Sequence, residues 1–348
     1  MTTTLAENLK RSPEVYPHTW DIAQDQVLFV QMHAKDYANA AFLDQRAINA
    51  NAKGQWSQMS AVRAAATEAK IPERLGFIFH TGHVGSTLIS RLIDGAKIFS
   101  MREPTPLRVL SQVKAELPTP ESLLTAAQYK RDLAMFLELW SRTWTDEQLT
   151  VVKATSFASE TAEDVIGRPG CKGALMLYAT PQAYVSGILA GPNSRIEAKV
   201  LSPGRLRRLN QRLGTDAFRL ATMSEGARIA MGWASEMTAM LAGSTAREDK
   251  VQWLDFDRFL AAPGMGLEVA LDVFGVKYEP EQITALVEGP IMRQYSKSPD
   301  HAYDAALRRE VLEQGAVQNP RELAEAITWL EGAAKEWPEI REAVELAA

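Results

Sequence analysis

A glycine-punctuated segment with adjacent hydroxyl side chains is the first place in this chain where chemistry is expected. It reads HTGHVGST over residues 80–87, and it contains Gly82, Gly85, Ser86 and Thr87. Glycine lets a backbone approach an anion closely, and the free N–H groups of a helix N-terminus bind phosphate or sulfate. The segment therefore predicts a cradle for a phosphate-like group, although an ordinary strand-to-helix turn also uses glycines.

Three charged side chains could act on a group held in that cradle. Glu103 could take a proton from an acceptor as a general base. Lys153 and a protonated His83 could stabilise charge on the transferring group and on its leaving oxygen. Each residue also has a structural explanation. Glu103 could be a surface carboxylate paired with Arg102, and the other two could be solvated side chains.

Arginines at helical spacing form a further candidate anion site. Arg205, Arg208 and Arg212 recur at i, i+3 and i+7, so they share one face of a predicted helix. A planar guanidinium suits phosphate, and this face could bind a phosphate together with Arg195. A solvated helix face explains the same spacing.

Alternating strand and helix patterns surround these residues. Apolar and β-branched runs predict strands at 76–80, 98–104, 149–156, 173–181 and 251–256. Helical patterns lie between them, and one long helix is predicted over 119–144 with Thr119 as its N-cap. This alternation predicts an α/β fold with a mostly parallel sheet flanked by helices.

One elaborated domain is expected, because no internal repeat or linker-like composition divides the chain. Residues 1–72 are predicted to form a helical or irregular N-terminal extension, with VLFV at 27–30 as a candidate strand. Residues 73–300 are predicted to form the α/β domain. Residues 301–348 are predicted to form C-terminal helices packed on the same domain.

Composition excludes several functional classes. The 348 residues include 38 Lys and Arg against 43 Asp and Glu, and a net charge of −5 disfavours a general nucleic-acid binder. The single cysteine, Cys171, excludes an intramolecular disulfide framework. No apolar run approaches the ~20 residues that span a bilayer, and the start of the chain lacks the apolar stretch of a secretory signal. We expect a soluble, cytoplasmic protein without nucleic-acid partners or membrane spans, and the sequence leaves a homodimer open.

The loop departs from the Walker A motif, G-x-x-x-x-G-K-[ST]. His80 stands at the position of the first glycine, and Ser86 stands at the position of the lysine. That lysine reaches the β- and γ-phosphates of a nucleoside triphosphate, so an ATPase or GTPase is disfavoured. An ATP-binding, kinase-like transferase with Thr87 on Mg²⁺ stays an alternative. His80 and His83 have no clear third ligand, and no metal is expected.

The loop is followed about twenty residues later by Arg102-Glu103-Pro104, and this combination resembles the bacterial sulfotransferases. The tyrosylprotein and heparan sulfotransferases are their relatives. The resemblance covers residues 75–300 in outline. It implies a P-loop NTPase-like α/β fold and 3′-phosphoadenosine 5′-phosphosulfate (PAPS) as nucleotide co-substrate. It also implies sulfuryl transfer to a hydroxyl or amine of an acceptor that the sequence does not identify.

The same resemblance implies roles for individual residues. Gly85, Ser86 and Thr87 match the family's phosphosulfate-binding Gly-[ST]-[ST]. Glu103 matches the position from which some members supply a catalytic carboxylate. Lys153 resembles a family lysine that lies near the sulfate bridge.

Two later segments resemble the parts of the family that hold the nucleotide. Ser186 resembles the serine of the 3′-phosphate motif. Tyr295, Ser296 and Lys297 look like a late loop that covers the nucleotide in bacterial members.

The chain departs from the family pattern at two positions that normally carry a cation. Two residues before Gly85 the family has Lys or Arg, and this chain has His83. The 3′-phosphate motif usually reads Arg-Asp-Pro, and this chain has Ala179-Thr180-Pro181 after Tyr178. A non-catalytic binding protein on the sulfotransferase scaffold therefore stays a second alternative.

Overall fold

Two sheets organise the chain in the computed structural model, which describes residues 5–48, 53–294, 296 and 303–348. The strands in these ranges are β1 (Val15–Asp21), β2 (Gln26–Gln31), β3 (Gly54–Gln58), β4 (Leu75–His80), β5 (Ile98–Arg102), β6 (Leu149–Lys153), β7 (Cys171–Tyr178) and β8 (Val251–Asp255). The first three strands form one sheet in the order β1-β2-β3. The other five form a second sheet in the order β5-β6-β4-β7-β8.

Helices connect the strands and form the C-terminal end of the chain. In the same ranges they are α1 (Leu5–Arg11), α2 (Ala34–Asn39), α3 (Met59–Ala69), α4 (Ser86–Ile93), α5 (Thr105–Glu116), α6 (Ala126–Trp140), α7 (Ala162–Ile166), α8 (Pro181–Ala190), α9 (Pro192–Leu213), α10 (Glu225–Ser244), α11 (Phe256–Ala261), α12 (Pro263–Asp272), α13 (Pro280–Glu288), α14 (Ala305–Gln318), α15 (Pro320–Glu336) and α16 (Pro338–Leu346). None of these helices combines the length and the apolar composition that a membrane crossing requires.

The five-stranded sheet is parallel throughout, and β4 lies at its centre. Every residue of β4 is buried, which is why it reads as an unbroken apolar run instead of an alternating pattern. Phe77 and Phe79 pack into one hydrophobic core, and Ile78 between them packs into the core on the opposite face. The predicted α/β fold, a parallel sheet flanked by helices, is confirmed.

The carboxyl ends of β4, β5 and β6 bring three segments that are distant in sequence to one edge of the sheet. Lys153 at the end of β6 is paired with Ile78 of β4 on one side and with Arg102 of β5 on the other. The residues that follow these strands therefore face a common space. These are the glycine loop after β4, Glu103 after β5 and the segment after β6.

The described part of residues 1–72 differs from the expected helical or irregular extension. It contains the antiparallel sheet β1-β2-β3 besides helices, and the candidate strand VLFV lies within β2. The alternation of apolar and polar residues that predicts strands is weak in this segment for a physical reason. The β1–β2 ladder is irregular between Pro17 and Thr19, and β3 is largely exposed.

The long helix predicted to begin at Thr119 begins seven residues later, at Ala126, and ends at Trp140. Thr125 is its N-cap, because its hydroxyl accepts the Gln128 N–H at 3.2 Å and the Gln128 side chain accepts the Thr125 N–H at 2.9 Å. This reciprocal pair of hydrogen bonds is a capping box, and it starts the helix at that point.

Helices at the C-terminal end pack back onto the rest of the chain. α14 lies against α8, and both α15 and α16 lie against α10. The close approach of α14 and α8 depends on Gly315, where a Cβ atom would lie 2.0 Å from the Ser186 carbonyl oxygen. The domain boundaries at residues 73 and 300 stay a prediction.

Candidate active site

A cavity of about 940 Å³ opens at the carboxyl edge of the parallel sheet, which is where open α/β sheets hold their ligands. Its acidic, basic and histidine lining residues are Arg46, His80, His83, Glu103, Arg108, Lys153, Glu197, Arg205 and Arg308. Among these described residues, four guanidinium groups and one ammonium group face two carboxylates. The cavity therefore favours a negatively charged ligand.

The loop between β4 and α4 forms the floor of the cavity in a tightly turned conformation. Gly82 and Gly85 have φ angles of +93° and +62°. A Cβ atom on Gly85 would lie 1.9 Å from the Phe256 ring, so both backbone and space require glycine there. His83 has φ +55°, a left-handed conformation that non-glycine residues rarely adopt. Such local strain persists only where the surrounding structure enforces it, and it concentrates at functional sites.

His80 braces this loop from the end of β4, a role that was not expected from the sequence. Its Nδ1 accepts the Gly82 N–H at 3.0 Å, and its Nε2 lies 2.9 Å from the Ala154 carbonyl oxygen. A carbonyl oxygen can only accept, so Nε2 donates to it. His80 thereby ties the loop to the segment that follows β6.

The predicted hydroxyl residues lie in the first turn of α4. Ser86 and Thr87 are both buried, and both line the cavity. Among the described residues, the Thr87 Oγ1 atom has no hydrogen-bond partner although it is inaccessible to solvent. A buried hydroxyl without a partner costs roughly 1–3 kcal/mol. Thr87 and the free N–H groups of this turn therefore fit the oxygen atoms of a bound phosphate or sulfate.

Glu103 and Lys153 meet on the cavity wall at the carboxyl ends of β5 and β6. The Lys153 ammonium donates to Glu103 Oε1, and Arg108 Nη2 donates to Glu103 Oε2 at 2.7 Å. Burial raises the pKa of Glu103, but the positive charges led by Lys153 outweigh burial and lower this pKa to about 2. Neither Glu103 nor Lys153 is a solvated side chain. Arg102 turns away from both and donates to the Ala40 carbonyl oxygen at 2.7 Å.

His83 and Arg308 lie on the α9 and α14 side of the loop. His83 Nε2 is 3.4 Å from Glu197 Oε2, so the histidine faces a carboxylate of α9. Arg308 Nη1 donates to the His83 carbonyl oxygen at 3.3 Å, and its Nε donates to Asp257 at 3.0 Å. Sequence reasoning missed Arg308 because it lies 225 residues after His83 in the chain.

The arginine face of α9 is buried and does not form the solvated surface that its spacing allowed. Arg205 and Arg208 are 4% and 8% exposed. Arg205 Nε donates to Glu236 at 2.8 Å, and its Nη2 donates to the Ser156 hydroxyl at 3.2 Å. Of the predicted arginine set, Arg205 lines the cavity, and Arg208 and Arg212 lie behind it.

Two of the residues predicted to hold the nucleotide lie outside the cavity wall. Ser186 is buried where α8 packs against α14. Arg195 is paired with Glu225 of α10, which takes it away from the Arg205 face. Ser296 does line the cavity, whereas Tyr295 and Lys297 lie outside the described residues.

The N-terminal segment and α5 supply a further part of the wall. Phe42 and Arg46 line the cavity beside Arg108, and the Arg46 guanidinium lies 4.0 Å from the centre of the Phe42 ring. In the described ranges, no three His, Cys, Asp or Glu residues are arranged to hold a metal ion.

The solved structures that are similar to this chain include two sulfotransferase domains. One is the sulfotransferase domain from the curacin biosynthetic pathway, with 14% identity, 70% of this chain and 96% of that chain covered, and a TM-score of 0.39. The other is the sulfotransferase domain from the Synechococcus PCC 7002 olefin synthase, with 15% identity and a TM-score of 0.40. This match covers 80% of this chain and 95% of that chain. Both are sulfotransferase domains, the family that the loop resembles in sequence. No family model and no curated protein matches the chain.

Proposed function

We propose that this chain transfers a sulfuryl group from PAPS to an acceptor hydroxyl or amine. The observation that carries the proposal is the buried, unpartnered Thr87 hydroxyl at the N-terminus of α4, on the floor of a cation-rich cavity. An anion on that floor accepts hydrogen bonds from Thr87 and from the first-turn N–H groups. The sequence resemblance to sulfotransferases supports a phosphosulfate as this anion.

Donor binding is assigned to the loop residues and to the cavity wall beside them. Gly82 and Gly85 allow close approach of the backbone, and Ser86 and Thr87 supply hydroxyl groups. Ser296 is close enough to the cavity to join them. Ser186 and Arg195 have no part in the proposal, because they lie outside the cavity wall.

The chemical step involves three groups around the sulfur atom, which are the acceptor, Glu103 and Lys153. The acceptor oxygen or nitrogen forms a bond to sulfur, and the bond from sulfur to the phosphate oxygen breaks with its electron pair going to that oxygen. The Glu103 carboxylate takes the proton that the acceptor loses, and it later releases this proton to solvent. Lys153 stabilises negative charge on the transferring group and on the leaving oxygen. The products are the sulfated acceptor and adenosine 3′,5′-bisphosphate.

The ion pair between Glu103 and Lys153 regulates the strength of the base. In the free protein the pKa of Glu103 is about 2, so its carboxylate is ionised but weakly basic. Sulfate oxygens of the donor compete with Glu103 for the Lys153 ammonium, and the pKa of the carboxyl then rises. Donor binding thus produces a stronger base beside the sulfur atom.

Acceptors are proposed to enter along Phe42, Arg46 and Arg108. These residues lie on the Glu103 side of the cavity, because Arg108 contacts Glu103 directly at 2.7 Å. An acceptor on this side reaches the carboxylate without crossing the loop that holds the donor.

A thermal-shift panel tests the proposal with adenosine 3′,5′-bisphosphate, ADP, and ATP with Mg²⁺. A ligand at ~100 times its Kd adds about 2.7 kcal/mol, which corresponds to a rise of roughly 5 °C in Tm for a chain of this size. We expect this rise with the bisphosphate and a smaller one with ADP. A rise with ATP and Mg²⁺ alone would favour the kinase-like alternative. No rise with any ligand would favour a non-catalytic protein on this scaffold.

A further inference from the structure

The glycine loop has no lysine or arginine of its own, although it forms the floor of an anion-binding cavity. Between residues 80 and 87 the only ionisable side chains are His80 and His83. Both ring nitrogens of His80 are hydrogen-bonded to backbone groups, and His83 faces Glu197 at 3.4 Å. A phosphate or sulfate on this loop therefore takes its positive charge from other elements, and the Lys153 ammonium is paired with Glu103 in the free protein.

Arg205 of α9 reaches the loop at Gly82. A Cβ atom built on Gly82 would lie 3.9 Å from Arg205 Nη2 and 3.7 Å from the Ser156 hydroxyl oxygen. Both residues line the cavity. The guanidinium group thus borders the space that Gly82 leaves open above the loop.

The guanidinium of Arg205 is fixed in this orientation. Its Nε donates to Glu236 at 2.8 Å, and its Nη2 donates to Ser156 at 3.2 Å. Gly232 of α10 makes room for it, because a Cβ atom there would lie 3.3 Å from both Cδ and Nη1 of Arg205. A side chain held in this way loses little conformational freedom when it binds an anion.

Arg205 also belongs to a buried salt-bridge network. Its members are Arg205, Arg208, Arg212, Glu160 and Glu236. Although the side chain is buried, Glu236 together with the nearby carboxylate of Glu197 raises the pKa of Arg205. The network therefore holds a charged guanidinium group at the edge of the loop.

Arg308 is the other arginine in contact with the loop, and its charge is already matched. Its Nε and Nη2 donate to the two oxygens of Asp257 at 3.0 and 3.3 Å. It also donates to the His83 carbonyl oxygen and lies over the Phe256 ring. The contacts of Arg308 therefore account for its position without a ligand, whereas the Nη2 atom of Arg205 borders the space that Gly82 leaves open.

We propose that Arg205 is an anion-binding residue that supplies, from α9, the positive charge that the loop lacks. It binds phosphate or sulfate oxygens on the Gly82 side of the cradle. This inference rests on the proposed function only for the identity of the donor, because the chemistry of the anion follows from the cavity itself.

Calorimetric titrations with pyrophosphate and with adenosine 3′,5′-bisphosphate test this proposal on the full chain. The variants are Arg205→Met and the matched control Arg208→Met. Each removes one of the two guanidinium groups that contact Glu236, and each leaves it the other. Of these two arginines, Arg205 borders the loop and Arg208 does not line the cavity. If Arg205→Met does not fold, the double variant Arg205→Met/Glu236→Gln is titrated in its place, because it removes both members of the buried ion pair.

Wild type is expected to bind both probes. Arg205→Met is expected to weaken binding about 10- to 100-fold, as the loss of a charge-assisted hydrogen bond to an anion does. The Arg208→Met control is expected to stay within about twofold of wild type, because a charge further from the ligand is screened.

Three results would overturn the role of Arg205. They are unchanged binding in Arg205→Met, equal weakening in both variants, and no binding of either probe to wild type. Binding of pyrophosphate alone to wild type would reject PAPS as the donor. The pyrophosphate titration of Arg205→Met would then still decide the role of Arg205.

Discussion

Glu103 and Lys153 are joined twice at the carboxyl edge of the sheet, by an ion pair between their side chains and by a backbone hydrogen bond from the Glu103 N–H to the Lys153 carbonyl oxygen at 2.7 Å. Both side chains are buried. Glu103 also has φ +54°, so the backbone is turned into the left-handed region at the point where β5 ends. This pairing places a carboxylate and an ammonium group on the wall that faces the glycine loop.

The first prediction concerns stability in acid. The pKa of Glu103 is lowered from an ordinary 4.5 to about 2 in the folded protein, so its stabilisation is complete above about pH 4.5. It is lost as the pH falls from about 4.5 towards 2, because the unfolded chain takes up the proton first. The pKa difference corresponds to about 3 kcal/mol. Urea denaturation at several pH values measures this loss.

Glu103→Gln is expected to lose most of that pH dependence, and also to be less stable at neutral pH because Lys153 stays buried without its carboxylate partner. Glu121→Gln changes an exposed carboxylate and serves as the control. Equal acid sensitivity in Glu103→Gln and wild type would show that this ion pair does not control stability in acid.

The second prediction distinguishes the steric clash of a side chain at Gly85 from the cost of its left-handed backbone. Gly85 and Gly214 have nearly the same φ, +62° and +63°, but a Cβ atom meets the Phe256 ring at Gly85 and open space at Gly214. Gly214→Ala should cost about 1–2 kcal/mol from the left-handed backbone alone. Gly85→Ala should cost about 1–3 kcal/mol more from the clash, and it should also abolish anion binding. Equal free energies of unfolding for the two variants would contradict the packing of Phe256 on the loop.

The third prediction is that Thr87→Val lowers the affinity for an anion without lowering the stability of the protein. Thr87→Val removes a buried hydroxyl that has no partner among the described residues, so the unliganded protein should keep its stability or gain up to about 1 kcal/mol. The affinity for adenosine 3′,5′-bisphosphate should fall about tenfold, because one hydrogen bond to the anion is lost. Denaturation and calorimetry measure the two effects.

Thr161→Val is the matched control for this experiment. The Thr161 hydroxyl is equally buried, but it donates to the Ala158 carbonyl oxygen at 2.8 Å. Its loss should cost about 1 kcal/mol and leave affinity unchanged. A Thr87→Val protein that loses stability and keeps its affinity would remove Thr87 from the anion site.

Local sequence signals were sufficient to predict the loop and the strands that carry it. The run before Gly82, the two glycines and the following hydroxyls lie within a dozen residues, so their spacing alone predicts a strand, a turn and a helix N-terminus. Because the carboxyl ends of parallel strands share one edge, the proximity of Glu103 and Lys153 followed from the same reasoning.

The remaining cations depend on contacts between distant parts of the chain. Arg308 reaches the loop only because Gly315 lets α14 approach α8 closely. Arg205 faces the loop because Glu236 of α10 holds its guanidinium. Neither relationship leaves a periodic signal in the sequence. Arg195 was predicted to bind a phosphate together with the Arg205 face. It is not part of that face, because it pairs with Glu225, which lies 30 residues away in the sequence.

Release of adenosine 3′,5′-bisphosphate from PAPS tests the central claim most directly. The protein is incubated with PAPS and a mixture of phenols, aliphatic alcohols and primary amines, and the nucleotide product is quantified beside a protein-free sample. Wild type is expected to release product above that background. Glu103→Gln is expected to be slower by about 10²- to 10⁴-fold, because the proton acceptor is lost. Product release by wild type at the protein-free rate, or by Glu103→Gln at the wild-type rate, would contradict the assignment of this cavity as a sulfuryl-transfer site.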